Sequence, residues 1–110
     1  DKTNSFRLES SRASKYVALS IAGMDSLSAD DFSANHGGYD NTQANRNPNV
    51  IVPLDVVRSF QKAGAFAELE DTIYSTTGNG TSLKNAQSFG AEIANRLLAA
   101  HVNGVILTST

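Results

Sequence analysis

The residues with the clearest chemical potential lie in one short block, His36-Gly37-Gly38-Tyr39-Asp40-Asn41. A histidine and an aspartate four apart, on a loop whose two glycines permit unusual backbone angles, can place an acid/base pair beside a bound ligand. The same residues also make an ordinary turn, with Asp40 or Asn41 capping backbone amides and His36 merely polar. Residue types alone tilt toward that turn. Just downstream, Asn45, Arg46 and Asn47 offer amide donors and a guanidinium for a substrate carboxylate, or equally an exposed, solvated loop.

A second block, Gly78-Asn79-Gly80-Thr81-Ser82, falls between a strand-like run and the N-terminus of the best helical pattern. Backbone amides and the helix dipole at such a place suit a carboxylate or phosphate, and a tight strand-to-helix turn is the default alternative. It is not a P-loop, because the GK[ST] ending is missing. Nor is it the dinucleotide fingerprint, because position 83 is Leu where a third glycine is needed. Asp25, Asp30 and Asp31 match no Ca²⁺-loop spacing and read as a solvated acidic turn, so no metal site is expected. His101, near a helix C-terminus, is explained by the dipole.

The elements that must position these groups alternate along the chain. Residues 16–21 (YVALSI) read as a strand closed by Gly23, and 26–35 hold at most one short helical turn capped by a serine. A Gly- and Asn-dense loop, HGGYDNTQANRNP, fills 36–48, and 49–52 is a short β-rich run. Pro53 suits the first turn of a helix, with Asp55 beside the positive end of its dipole. Leu54, Val57 and Phe60, with Val56 and Ala63, give that helix an apolar face, and Gly64 stops it.

Residues 72–77 (TIYSTT) are β-branched and aromatic, hence a strand. Thr81 or Ser82 then caps a helix in which Leu83, Ala86, Gly90, Ile93, Leu97 and Ala100 recur at helical spacing. Asn103-Gly104 ends it, and Val105-Ile106-Leu107-Thr108 reads as a buried parallel strand. The expectation is a layered α/β domain, a Rossmann-like and mostly parallel sheet with flanking helices. Residues 1–14 are expected to be a poorly ordered lead-in, and 15–110 one domain, part of something longer.

Composition excludes several classes. A count of 9 basic against 11 acidic residues leaves a net charge of −2, so no basic excess exists to release counterions from a nucleic acid. There is no cysteine, which excludes a disulfide framework and a cysteine-ligated metal. No apolar run approaches the roughly 18 residues of a membrane helix, and no signal peptide opens the chain, so a cytoplasmic location is expected. Ser, Thr and Asn make up 31 of 110 residues, more than all charged residues together, which points to long, ordered loops.

LESSRASKY (8–16), NHGGYDNTQANRNPN (35–49), PLDVVR (53–58), TTGNGTSLKNAQSFGAEIA (76–94) and GVILTST (104–110) together resemble one family. It is the selenoprotein subunit of component B of the glycine, sarcosine and betaine reductases. The selenoprotein subunit of D-proline reductase shares the HGGYDN block and is the second choice. A non-catalytic α/β module that binds small polar ligands is the third.

The resemblance carries further expectations. In the family the VILTST strand runs into a selenocysteine followed by a CxxC pair, so a selenocysteine is expected directly after Thr110. This chain then looks like a segment cut before its redox residue, inactive alone. The implied reaction is reductive cleavage of a C–N bond, with the substrate amine held on component B, for glycine through a Schiff base to a pyruvoyl group on a partner subunit. A selenol takes up the two-carbon fragment, and a further component releases acetyl phosphate. The expected partners are the other component B subunits, the small selenoprotein component A and a small amine substrate. The matching blocks expected to line the pocket are His36, Gly37, Gly38, Tyr39, Asp40 and Asn41 with Gly78, Asn79, Gly80 and Thr81. Thr108, Ser109 and Thr110 would position the missing residue, and His36 is the candidate for polar support or proton donation.

Overall fold

The computed structural model describes residues 14–36, 38–76 and 80–109. Two strands, β1 (Tyr16–Ser20) and β2 (Thr72–Thr76), pair antiparallel, with Tyr16 opposite Thr76 and Ser20 opposite Thr72. Among the described residues three α-helices accompany them: α1 (Thr42–Arg46), α2 (Leu54–Lys62) and α3 (Leu83–Ala99). A 3-10 turn covers Pro48–Val50.

The expected layered, mostly parallel Rossmann-like sheet is therefore overturned: the sheet has two strands, and they run in opposite directions. Local pattern reports where strands form and says nothing of their direction. The long connection between β1 and β2 admits either sense, and the alternation of strands and helices suggested the wrong one.

Two further strands are corrected. Residues 49–52 curl into the 3-10 turn, because Pro48 sets the backbone angle and Asn47 caps the turn, its Oδ1 accepting from Asn49 N at 3.1 Å. Residues 105–108 form no strand among the described residues, and Val105, Ile106 and Leu107 are 58%, 66% and 91% exposed. A β-branched run becomes a strand only beside a partner edge, and none of the described strands lies against it. The loop expected over 36–48 contains α1, a helix of five residues. Within 26–35 a single turn does close, Phe32 N donating to Ser28 O while Ser28 Oγ accepts from Asp30 N.

One sheet face builds the core. Leu19 and Ile73, directly opposite in register, pack on buried Ile21, Leu27, Phe32 and Leu54, joined by Met24, Val52 and Leu69. Burying each large side chain stabilises by about 1.5–3 kcal/mol, so this small cluster holds the 21–32 loop and α2 to the sheet. Arg58 braces the same junction. Its guanidinium donates to Met24 O, Ile21 O, Gln61 Oε1 and Asp71 Oδ1 at 3.0, 3.4, 2.9 and 3.2 Å. On the opposite face Tyr16 meets Tyr74 and Phe89 of α3, ring centroids 6.1 and 5.8 Å apart, with the Arg96 guanidinium 6.0 Å from the Tyr16 ring.

Both long helices end in the same motif. After α2, Gly64 N donates to Gln61 O and Ala65 N to Phe60 O, with Gly64 at φ +80°. After α3, His101 N donates to Leu98 O and Val102 N to Leu97 O, with His101 at φ +58°. This paired bonding is the Schellman closure, which favours glycine at its left-handed position; α2 supplies one and α3 does not. Ser82 caps the start of α3 as expected, its Oγ accepting from Asn85 N at 3.2 Å.

Candidate functional site

The HGGYDN loop is held by its own short-range bonds. His36 Nδ1 accepts the Gly38 N–H at 2.9 Å, so the hydrogen of the neutral ring sits on Nε2. A Cβ on Gly38 would stand 2.8 Å from His36 Cε1, so the ring lies against the backbone where only glycine fits. The Tyr39 ring is tilted against His36 at 5.2 Å between centroids. Asp40 Oδ1 accepts from both Thr42 N at 3.0 Å and Thr42 Oγ1 at 2.6 Å. These two bonds hold the Asp40 carboxyl below its ordinary value of 3.8. The histidine and aspartate are thus engaged separately, and no hydrogen bond or ion pair joins them. The His–Asp couple suggested by their spacing is not assembled here.

The asparagines read as substrate ligands face the chain's own backbone. Asn45 Oδ1 accepts from Ala34 N at 2.7 Å, and Asn41 Nδ2 donates to Ala34 O at 3.2 Å. Asn47 is engaged by the turn it caps. Arg46 is exposed in the last turn of α1. The residue sequence reasoning missed is Asn49, which is buried and bonds both ways with Leu27: Oδ1 accepts from Leu27 N and Nδ2 donates to Leu27 O, each at 2.9 Å. The signal was present, since Asn41, Asn45 and Asn49 recur every four residues. Those three side chains replace strand partners for the 27–34 segment.

Of the second block, Gly80 is exposed at φ +65°, and Thr81 is half-buried with its Oγ1 buried and without a hydrogen-bond partner. Gly37, Gly78, Asn79 and Thr110 lie outside the described residues, as does the lead-in apart from Ser14. Ser109 and Thr108 are exposed beside the uncovered 105–107 run. No described bond joins the HGGYDN loop to Gly80 or Thr81. A hollow of about 370 Å³ lies elsewhere, between β1 and α3, lined by Lys15, Tyr16, Phe89, Glu92 and Arg96 among others. None of the motif residues lines it.

Of the aspartates, Asp25 pairs with Lys62 Nζ at 2.9 Å, and this bond and charge lower its pKa. No group of three or more His, Cys, Asp or Glu able to hold a metal occurs among the described residues. No helix among them is long and apolar enough to cross a membrane.

The family profile of the glycine/sarcosine/betaine reductase selenoprotein B matches residues 1–110. The chain belongs to that family. Its similarity to individual reductase subunits agrees. The sarcosine reductase complex component B subunit beta of Peptoclostridium acidaminophilum is 49% identical over 107 residues, covering 97% of this chain and 24% of its own length. The glycine reductase complex component B subunit gamma of Carboxydothermus hydrogenoformans is 48% identical over 109 residues, covering 99% of this chain and 25% of its own. The D-proline reductase subunit gamma of Acetoanaerobium sticklandii is 35% identical over 83 residues, covering 74% of this chain and 34% of its own. The chain spans about a quarter of the length of these component B relatives. No solved structure matches it.

The selenoprotein family implies a selenol, and the described residues do not cradle one. The 105–109 segment is exposed, and in the HGGYDN loop His36 bonds to Gly38, Asp40 to Thr42 and Asn41 to Ala34.

Proposed function

We propose that this chain is a stretch of the selenoprotein subunit of a glycine, sarcosine or betaine reductase. The subunit takes part in reductive C–N cleavage of a small amine that feeds acetyl phosphate formation. The match of the whole chain to the selenoprotein B family carries the reading. Identity of 49% and 48% to sarcosine and glycine reductase component B subunits, against 35% over a shorter span to the D-proline subunit, favours component B; the betaine reductase subunit, at 36%, matches over 107 residues where the D-proline subunit matches over 83. The partners are the other component B subunits and component A, the pyruvoyl group belongs to a partner subunit, and the complex works in the cytoplasm.

The selenocysteine of the full subunit follows the VILTST block, on the strength of the resemblance. Within this chain the HGGYDN loop, the GNGTS turn and Ser109 with Thr110 contribute to the substrate pocket. The bond at Nδ1 leaves His36 a hydrogen-bond donor through Nε2, suited to an anionic group of the substrate or intermediate.

The test is reconstitution of the full-length selenocysteine-containing subunit with its partner components. Acetyl phosphate is measured from glycine, sarcosine and betaine in turn. Production from one of the three supports the reading. Production from none, or a gene in which the codon after Thr110 does not encode selenocysteine, overturns it.

A further inference from the structure

Where α3 meets β1, the two elements leave a gap beside their contact. In α3, Phe89, Glu92 and Arg96 fall within about 60° of one another at 100° per residue, so they share one stripe. In β1, Tyr16 and Ala18 point to the same sheet face. Tyr16 meets Phe89 edge-on, ring centroids 5.8 Å apart, and this contact sets the helix against the strand. Beside it, exposed Ala18 is too small to fill the space, and the hollow of about 370 Å³ remains. That volume is at the low end of the roughly 300–1,000 Å³ of small-molecule sites.

Opposite charges line this hollow. Glu92 and Arg96 stand at the i, i+4 spacing at which a glutamate and a following cation ordinarily pair on a helix. Among the described residues no ion pair joins them. Glu92 Oε1 instead accepts from Ser88 Oγ at 3.3 Å, and the Arg96 guanidinium lies over the Tyr16 ring, 6.0 Å from its centroid. A carboxylate and a guanidinium thus border one gap without closing on each other. Lys15 adds a second cation to the lining.

We propose that this hollow binds a small zwitterion of the α-amino acid class, its carboxylate on Arg96 and its ammonium on Glu92. A guanidinium takes a carboxylate through two parallel N–H bonds, and a carboxylate accepts from an ammonium. The Tyr16 and Phe89 rings wall the short carbon chain. A simple anion gains Arg96 and is repelled by Glu92, and a simple amine meets the reverse. Together the two groups select a ligand that carries both charges. None of these residues belongs to the HGGYDN or GNGTS blocks, so the site is separate from the pocket of the proposed function.

The test reads the site in the full-length subunit, without turnover, using glycine as the probe. The Arg96 Nε–Hε and Tyr16 ring resonances should shift saturably with glycine, in the millimolar range that exposed charges support. Glu92→Gln should weaken the response about tenfold or more. Ala18→Phe fills the hollow, leaves every charge in place and should abolish the response; its strand position favours an aromatic residue. Acetate and methylamine should each bind about tenfold more weakly than glycine, and His36→Ala should change nothing. No saturable shift, a shift matched by acetate, or one that survives Ala18→Phe or is lost with His36→Ala overturns the proposal. Each of these results is independent of whether acetyl phosphate is formed.

Discussion

Asn49 and Leu27, twenty-two residues apart, exchange two hydrogen bonds of 2.9 Å between one side-chain amide and one backbone unit. A buried amide thereby does for Leu27 what a neighbouring strand would do. Asn49→Ala leaves both backbone groups unpaired in the interior, and the expected loss is about 2–4 kcal/mol. Asn49→Asp keeps one bond, removes the other and buries a charge, so it should be at least as damaging. Shifts in urea midpoint of the full-length subunit decide this; a change under about 0.5 kcal/mol for Asn49→Ala would remove the clamp from the account.

The two Schellman closures make a paired prediction. His101→Gly relieves a left-handed residue and should stabilise by about 0.5–1 kcal/mol, whereas Gly64→Ala should destabilise by about 1 kcal/mol. Thermal unfolding of the two variants should move in opposite directions.

Gly38 and His36 form a contact that a methyl group would break. On the proposed function, Gly38→Ala in the full-length subunit should displace the imidazole and lower acetyl phosphate production by the reconstituted complex about ten- to hundred-fold while leaving the fold intact. His36→Ala should do the same, and His36→Gln, which retains a donor, should recover part of the loss. Wild-type turnover in both Gly38→Ala and His36→Ala would show the loop to be structural only.

Asp40 gives the pH dependence. Its carboxyl is lowered from 3.8 by the two Thr42 bonds. Its contribution to the loop is therefore complete above the ordinary value and disappears as pH falls through the lower, folded value. The Thr42 amide resonance should report this loss at a midpoint below 3.8. Asp40→Asn should abolish the transition, and a midpoint above the ordinary value would contradict the geometry.

Much of this was legible locally. The strand from Tyr16, the helix after Pro53 with its Gly64 stop, the Thr72 strand and the Ser82 cap all follow from residue types within a few positions of each other. What was not legible is relational. The inward side of α3 is set by Phe89 meeting Tyr16, which turns Leu83, Ala86 and Gly90 outward although they share the same helical spacing. Likewise α2 buries Leu54 while Val56 and Phe60 stay 48% and 56% exposed, because 100° per residue puts both on the side of the helix opposite Leu54 and Arg58. Asn45 and Asn47 have the composition of ligands, yet their acceptors were already engaged by backbone that only folding brings near.

The antiparallel register joins Ser20 to Thr72 across roughly fifty residues. At about 5–20 residues per second, β1 leaves the ribosome some seconds before β2 exists. Contacts of the Ile21, Leu27, Asn49 and Leu54 region close shorter loops and are available earlier. Vectorial synthesis would then order the asparagine-clamped segment first and add β2 as a late seal. A transition state with high φ-values at Asn49 and low ones at Tyr74 is the expected signature, and the reverse pattern would exclude this order. The many asparagines thus mark the part of the molecule that must hold its shape while the sheet is still unmade.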